Sequence, residues 1–149
     1  MPGAFIVTAE QAPAPLKIVG EEIVVLAPGA QTGSYEIFRQ AGPAGSGPPP
    51  HSHPWDEAFY VIDGHVEFGV DDLQGVTASS GTLVHVPAGS LHWFRFGPEG
   101  GVMISMTSQE GAAAFFTEVD REVSPTSPDL GALITIAGAH GLTIPAPAA

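Results

Sequence analysis

His51 and His53 stand one residue apart and Glu57 lies four residues beyond the second of them, in Gly45-Ser-Gly-Pro-Pro-Pro-His51-Ser-His53-Pro-Trp-Asp-Glu57. A second segment, Gly81-Thr-Leu-Val-His-Val-Pro87-Ala-Gly89-Ser-Leu-His92, ends on another histidine. Imidazole nitrogen and carboxylate oxygen are the side-chain donors that suit borderline divalent metals. Residues two apart in an extended chain share a face. His51 and His53 can therefore point the same way, and Glu57 joins them if the strand resumes after a turn at Pro54. His92, brought by a distant strand, would complete a set of three histidines and one carboxylate.

Holding such a set needs a scaffold of strands, and the chain is patterned for one. Residues 22–27 form a β-branched run, residues 33–41 read as a second strand, and 42–50 is a Gly/Pro loop delivering the chain to His51. Residues 57–62 and 65–70 are strands by composition, with Asp63-Gly64 a hairpin turn signal between them. Residues 71–80 are polar and loop-like. Residues 83–86, 91–96 and 102–107 are three more short strands, with turns at Pro87-Ala-Gly89 and Gly97-Pro-Glu-Gly-Gly101. This spacing predicts an all-β antiparallel sandwich or barrel. Two helices are expected after it. Thr107-Ser-Gln-Glu110 has capping-box form ahead of residues 112–119. Asp129 can cap residues 130–140, with Gly141 at the stop and Leu130, Leu133, Ile134 and Ala137 at helical spacing for packing against the sheet.

Composition narrows the functions. The 149 residues are 44% hydrophobic, and the formal net charge is −12 with only Lys17, Arg39, Arg95 and Arg121 basic. So acidic a surface repels phosphate backbones and anionic headgroups, so neither nucleic acid nor membrane is expected as a partner. A multiply charged phosphate substrate is disfavoured for the same reason. The absence of cysteine excludes disulfides, zinc–thiolate sites and thiol nucleophiles, and is compatible with a cytoplasmic address. The first ten residues lack a basic start and a long apolar run, so no signal peptide is read there. One domain over residues 1–149 is expected, with an N-terminal strand arm at 1–41, a motif core at 45–96 and a helical segment at 108–141.

With these residues in place the chain resembles the cupin superfamily. Its first motif is written G-x5-H-x-H-x3/4-E-x6-G, and Gly45, His51, His53, Glu57 and Gly64 match it. The second is written G-x5-P-x-G-x2-H-x3-N; Gly81, Pro87, Gly89 and His92 match, while Phe96 stands where asparagine is usual. The resemblance implies an antiparallel double-stranded β-helix (a jelly-roll barrel) with short C-terminal helices. It implies one divalent ion (Fe, Mn, Ni, Cu or Zn) on His51, His53, Glu57 and His92, a small-molecule substrate, and a homodimer. The segments Phe115-Phe116 and Ala139-His-Gly-Leu-Thr-Ile-Pro resemble small quercetin 2,3-dioxygenase-like members. On that reading the protein is a metal-dependent dioxygenase acting on an aromatic or enolisable substrate, and Glu57 is both ligand and catalytic base. The alternatives are a zinc-dependent polyketide cyclase-like protein and a non-enzymatic module holding a metal or small ligand.

Strand parity extends the site. With His92 facing inward, Phe94 and Phe96 do too, and with Glu57 inward so does Phe59. These phenylalanines form either an aromatic mouth around the metal or ordinary barrel core. Trp55, in the loop between ligands, is a candidate for the entrance, ahead of Tyr60. His85 is a candidate extra ligand or supporting donor, and Arg39 a candidate for orienting an anionic substrate. His65 is expected to be exposed, and His140 to sit at a helix C-terminus, where the dipole favours a cation.

Overall fold

Two long strands carry the architecture of the computed structural model, which describes residues 3–145; the ends of the expected 1–149 domain lie outside the described residues. They are β4 (Glu57–Val70) and β7 (His92–Thr107), paired antiparallel along nearly their whole length. The remaining strands are β1 (Leu16–Ile18), β2 (Glu21–Ala27), β3 (Glu36–Gly42), β5 (Leu73–Ser79) and β6 (Leu83–Val86). The order is β1-β2-β3-β7-β4-β5, with β6 also on β4. The first half of β4 pairs with β6 and its second half with β5. The sheet thus folds over on itself as a jelly-roll barrel.

The two expected turns, Asp63-Gly64 and Gly97–Gly101, are not hairpins. Each is a bend inside a continuous strand, and the two bends lie opposite each other, with Gly64 paired to Gly101. Gly64 and Gly100 both take positive φ, +73° and +74°. A local turn signal is overruled because the neighbouring strand bends with it and keeps the ladder intact. The bends also change which face points inward. Glu57, Phe59 and Val61 are buried before the corner, and Val66, Phe68 and Val70 after it. In β7 the buried set changes likewise, from His92, Phe94 and Phe96 to Met103, Ser105 and Thr107. A one-residue slip at a bulge flips every later side chain. Residues 71–80, expected as a loop, contain β5, an outer strand in which only Ala78 is buried. Its polar sequence is that of a strand with one wet face.

Two helices, α2 (Ala112–Glu122) and α3 (Leu130–Ala139), follow the barrel, and a single turn, α1 (Gly29–Thr32), links β2 to β3. The expected capping box at Thr107–Glu110 does not form. Thr107 Oγ1 donates to the Gln109 carbonyl instead, and Gly111 stands at the N-cap without a side-chain bond. A distant residue does the capping: buried Glu36 accepts from Ala113 N–H (3.0 Å) through one oxygen and from Gly29 N–H (2.9 Å) through the other. A carboxylate at a helix N-terminus is favoured by charge as well as by hydrogen bonding. Asp129 caps α3 as expected, accepting from Ala132 N–H at 3.1 Å. Phe115 and Val119 of α2 and Leu133, Ile136 and Ala137 of α3 pack with Ile18, Ile23, Phe38 and Trp55 into one apolar cluster. A second cluster, built on Phe59, Phe68, Phe94, Phe96 and Met103, fills the other part of the barrel. Among the described residues no helix is long and apolar enough to cross a membrane.

The corner should be intolerant of a side chain. A Cβ on Gly64 would overlap the Gly100 carbonyl oxygen, on backbone that cannot move without breaking the β4–β7 ladder. Gly64→Ala is expected to cost about 3 kcal/mol in urea unfolding, against about 1 kcal/mol for Gly75→Ala, where φ is also positive but space is open. Equal costs would show that the corner is not a steric constraint.

Candidate metal centre

His51 precedes β4 and makes an isolated antiparallel bridge to His92, the first residue of β7. Each donates its backbone N–H to the other's carbonyl at 2.9 Å. Directly opposed residues of an antiparallel pair show their side chains on one face, and here the two rings lie 4.2 Å apart. His53 follows on the same face, its ring 4.8 Å from that of His92. Pro54 then turns the chain and β4 opens at Glu57, whose Oε1 lies 3.0 Å from His53 Nε2 and 3.4 Å from His92 Nε2. The Pro87–Gly89 turn is stapled to this segment: Gly89 N–H donates to the His53 carbonyl (2.8 Å) and Ala88 N–H to Asp56 Oδ1 (2.9 Å). That is the physical link between the two sequence motifs.

The protonation pattern suits a cation. Each histidine commits its Nδ1 to a carbonyl oxygen: His51 to Pro49 (2.9 Å), His53 to Trp55 (3.0 Å) and His92 to Ser90 (2.9 Å). A carbonyl only accepts, so Nδ1 carries the proton and Nε2 of the neutral ring is left as a lone pair. One potential donor atom from each ring falls within 4.8 Å of the others. His92 Nε2 is buried and has no hydrogen-bond partner. Lone pairs facing a carboxylate repel it unless a proton or a metal ion sits among them. The three imidazoles therefore fit a divalent ion, and Glu57 stands beside two of them, His53 and His92, without belonging to the three-histidine group. Burial, reinforced by the neighbouring His92, pulls the His51 pKa down to about 3, which keeps the ring neutral. Burial alone would raise Glu57, but hydrogen bonding to His53 and then to His92 outweighs it and brings the carboxyl down to about 2, an effect that needs a proton on the nitrogen facing it when no metal is shared.

A cavity of about 70 Å³ opens on this cluster. Phe59 and Phe94 line it. Phe96 does not. It is buried at the other end of the barrel, where its ring abuts Gly42 and Gly101, and it belongs to the core and not to a mouth. Trp55 is not at an open entrance but a buried wall, stacked on His53 at 4.7 Å and 12° and covered by the helical cluster. Pro48, Pro49, Phe115, Leu133, Leu142 and Ile144 complete the apolar lining. His85 is exposed beside Ala58 and cannot reach the cluster, and Arg39 is exposed on the outer face of β3. His65 pairs loosely with Glu99, and His140 holds Glu118 at 2.8 Å. Tyr60 lies on the outward face of β4.

Two buried polar residues of the cavity were not singled out by the sequence. Glu21, at the start of β2, accepts from Gln40 Nε2 of β3 at 3.0 Å, and both line the cavity. Burial, against the opposing hydrogen bond from Gln40 and with the charge of Glu57 adding to it, pushes the Glu21 pKa up to about 8. The available signal was parity: Gln40 shares a face with Phe38, and Glu21 with Ile23. A strand reading that began at residue 22 left Glu21 out.

Known proteins agree with this architecture. A family model described as "Cupin domain" matches residues 38–106. An acireductone dioxygenase from Sulfurihydrogenibium sp. (strain YO3AOP1) is 42% identical over 48 residues, covering 30% of this chain and 27% of that protein's length. The structure of KdgF from Halomonas sp. superposes with a TM-score of 0.65 at 16% identity, over 72% of this chain and 96% of that one. An RmlC-like cupin from Shewanella frigidimarina NCIMB 400 gives 0.62 at 20% identity, over 72% and 94%. The family match runs from β3 to β7, so residues 38–106, where the motif residues are gathered in the jelly-roll, are the part of the chain that is similar to a cupin domain.

Proposed function

We propose that this protein binds one divalent metal ion through His51, His53, His92 and Glu57, and acts as a dioxygenase on a small enolisable substrate. The observation that carries the metal reading is the trio of imidazoles with Nδ1 committed to carbonyls and a ligating atom from each within 4.8 Å of the others, two of the rings facing Glu57. When bound, a divalent ion supplies Lewis-acid polarisation of two adjacent substrate oxygens and, for Fe, Mn, Ni or Cu, redox chemistry toward dioxygen. The carbonyl bonds fix the ring planes, and Trp55 braces His53 from the side. Phe59, Phe94 and Phe115 keep water from the reacting centre. Glu57, held near a pKa of 2, is well suited to ligation and is a weak proton acceptor.

Two observations support a small substrate. The cavity, at about 70 Å³, is well under the ~300 Å³ at which drug-sized pockets begin. That volume favours a compact ligand over a flavonol or a folded polyketone, so the quercetinase-like and cyclase-like readings gain no support from it. The stretch of likeness to an acireductone dioxygenase supports oxygen chemistry on a compact enediol. No Lys or Arg lines the cavity, so an anionic group would find no side-chain cation there besides the metal. A homodimer in a reducing cytoplasm is the proposed setting, with exposed Tyr60, Ile62, Leu83 and Met106 available on the outer sheet face.

Elemental analysis of purified protein should find one metal per chain, falling to near zero in His51→Ala/His53→Ala. Both residues lie outside the regular strands, between β3 and β4, so circular dichroism should still report the barrel. Metal surviving the double change would refute the ligand assignment. Iron-, manganese-, nickel- or copper-loaded protein should consume oxygen with a small enediol, and zinc-loaded protein should not; uptake equally fast with zinc would refute redox chemistry at the metal. Acid stability offers a fourth check. The His51 pKa falls from 6.5 to about 3 on folding, so its contribution is complete above 6.5 and is lost as pH drops toward 3. The urea midpoint of metal-free protein should fall across that window more steeply for wild type than for His51→Gln. Parallel curves would mean that His51 is not desolvated.

A further inference from the structure

Gln40 is 3% exposed, and its amide is only half used. Nε2 donates to Glu21 Oε1 at 3.0 Å, which leaves the amide oxygen Oε1 as the free end. That oxygen is buried without a partner. Glu21 and Gln40 line the same cavity as His51, His53 and Glu57, so the orphan acceptor belongs to a wall of the candidate site. A buried polar atom left unpaired destabilises the fold, and methionine would fill the same volume without that cost. On the Trp55 wall of the cavity the complementary case occurs: the indole Nε1–H is a buried donor with no partner.

We propose that Gln40, oriented by Glu21, is a specificity-determining contact, its Oε1 accepting a hydrogen bond from a hydroxyl of a small uncharged hydroxycarbonyl or enediol whose other oxygens face the three imidazoles. This deepens the metal-centred reading above and rests on it. Gln40 is the ligand contact and Glu21 the positioning residue. The ligand must bring a donor to one wall and can offer an acceptor to Trp55 on the other. A hydroxycarbonyl that faces the metal and carries one further hydroxyl supplies both within a few atoms, on the scale of this cavity. Carboxylates and phosphates find no Lys or Arg on the lining and bring no donor to Gln40.

The test uses zinc-loaded full-length protein, which binds without oxidising, and isothermal titration calorimetry with two probes. Dihydroxyacetone and hydroxyacetone present the same hydroxycarbonyl to the metal and differ by one hydroxyl. Wild type is expected to prefer dihydroxyacetone about tenfold, the discrimination of one buried hydrogen bond. Gln40→Met should bring the ratio to about one while leaving zinc content and hydroxyacetone affinity unchanged. Glu21→Leu should lose the preference too, and Glu21→Gln, which keeps an acceptor for Nε2, should restore most of it. A wild type without preference, or a preference that survives in Gln40→Met, overturns the proposal. If Gln40→Met does not fold, the wild-type ratio and the Glu21 pair decide it. Failure to load zinc is seen before any probe is added and sinks the metal reading itself, so the two failures are distinguishable.

Discussion

Everything about this molecule's chemistry depends on one antiparallel backbone pair, the reciprocal N–H···O bonds between His51 and His92. The histidines come from segments 41 residues apart, and neither segment alone brings three imidazoles together. Once the pair forms, both rings must project to the same side, and the carbonyls of Pro49 and Ser90 are then in reach of their Nδ1 atoms. Second-residue orientation of this kind decides whether a cluster of histidines is a ligand set or a set of neutral core residues. Here the lone pairs converge on a buried anion, an arrangement that repels itself until a cation is shared.

The rest of the fold protects that arrangement from water. The cavity lies where the two apolar clusters meet, bounded by Phe59 and Phe94 from one and by Trp55, Phe115 and Leu133 from the other. The helices that complete the second cluster are not held by local sequence alone. Glu36, the first residue of β3, caps α2, so the helices and β3 are tied by a charge-assisted hydrogen bond at a buried point. Two further links, Ser52 bridging Thr143 and Leu142 in the cluster, bring the segment after α3 back against the histidine segment.

Much of this was legible in the sequence, for reasons that differ by element. The histidine segments were readable because His-x-His with a glutamate four residues on is a rare pattern, and because Gly89 and Pro87 mark the turn that docks on them. Asp129 and Gly141 were readable because helix ends obey local rules. The long strands were not. Asp63-Gly64 carries a sound local hairpin signal, and only the partner strand, bending at Gly100-Gly101, reveals it as a corner. The capping of α2 was unreadable because Glu36 lies 77 residues from the amide that it serves. Phe96 was placed on the correct face but at the wrong depth, since parity tells inside from outside and says nothing of position along the barrel.

The same limit explains why Glu21 and Gln40 escaped notice. A glutamate and a glutamine in strands are ordinary outward-facing residues, and nothing in their type announces burial. Their meaning comes from the diagonal between β2 and β3 that brings them together on the inner face, opposite the histidines. A cavity whose walls are otherwise hydrocarbon can tolerate a carboxyl and an amide only if they pair with each other, with water or with what enters. The first of these accounts for Nε2 and leaves Oε1 over. The surplus acceptor gives the cavity a polarity of its own, with cation-seeking nitrogens and a donor-seeking oxygen on its walls. A ligand is then oriented by its own chemistry before any reaction begins.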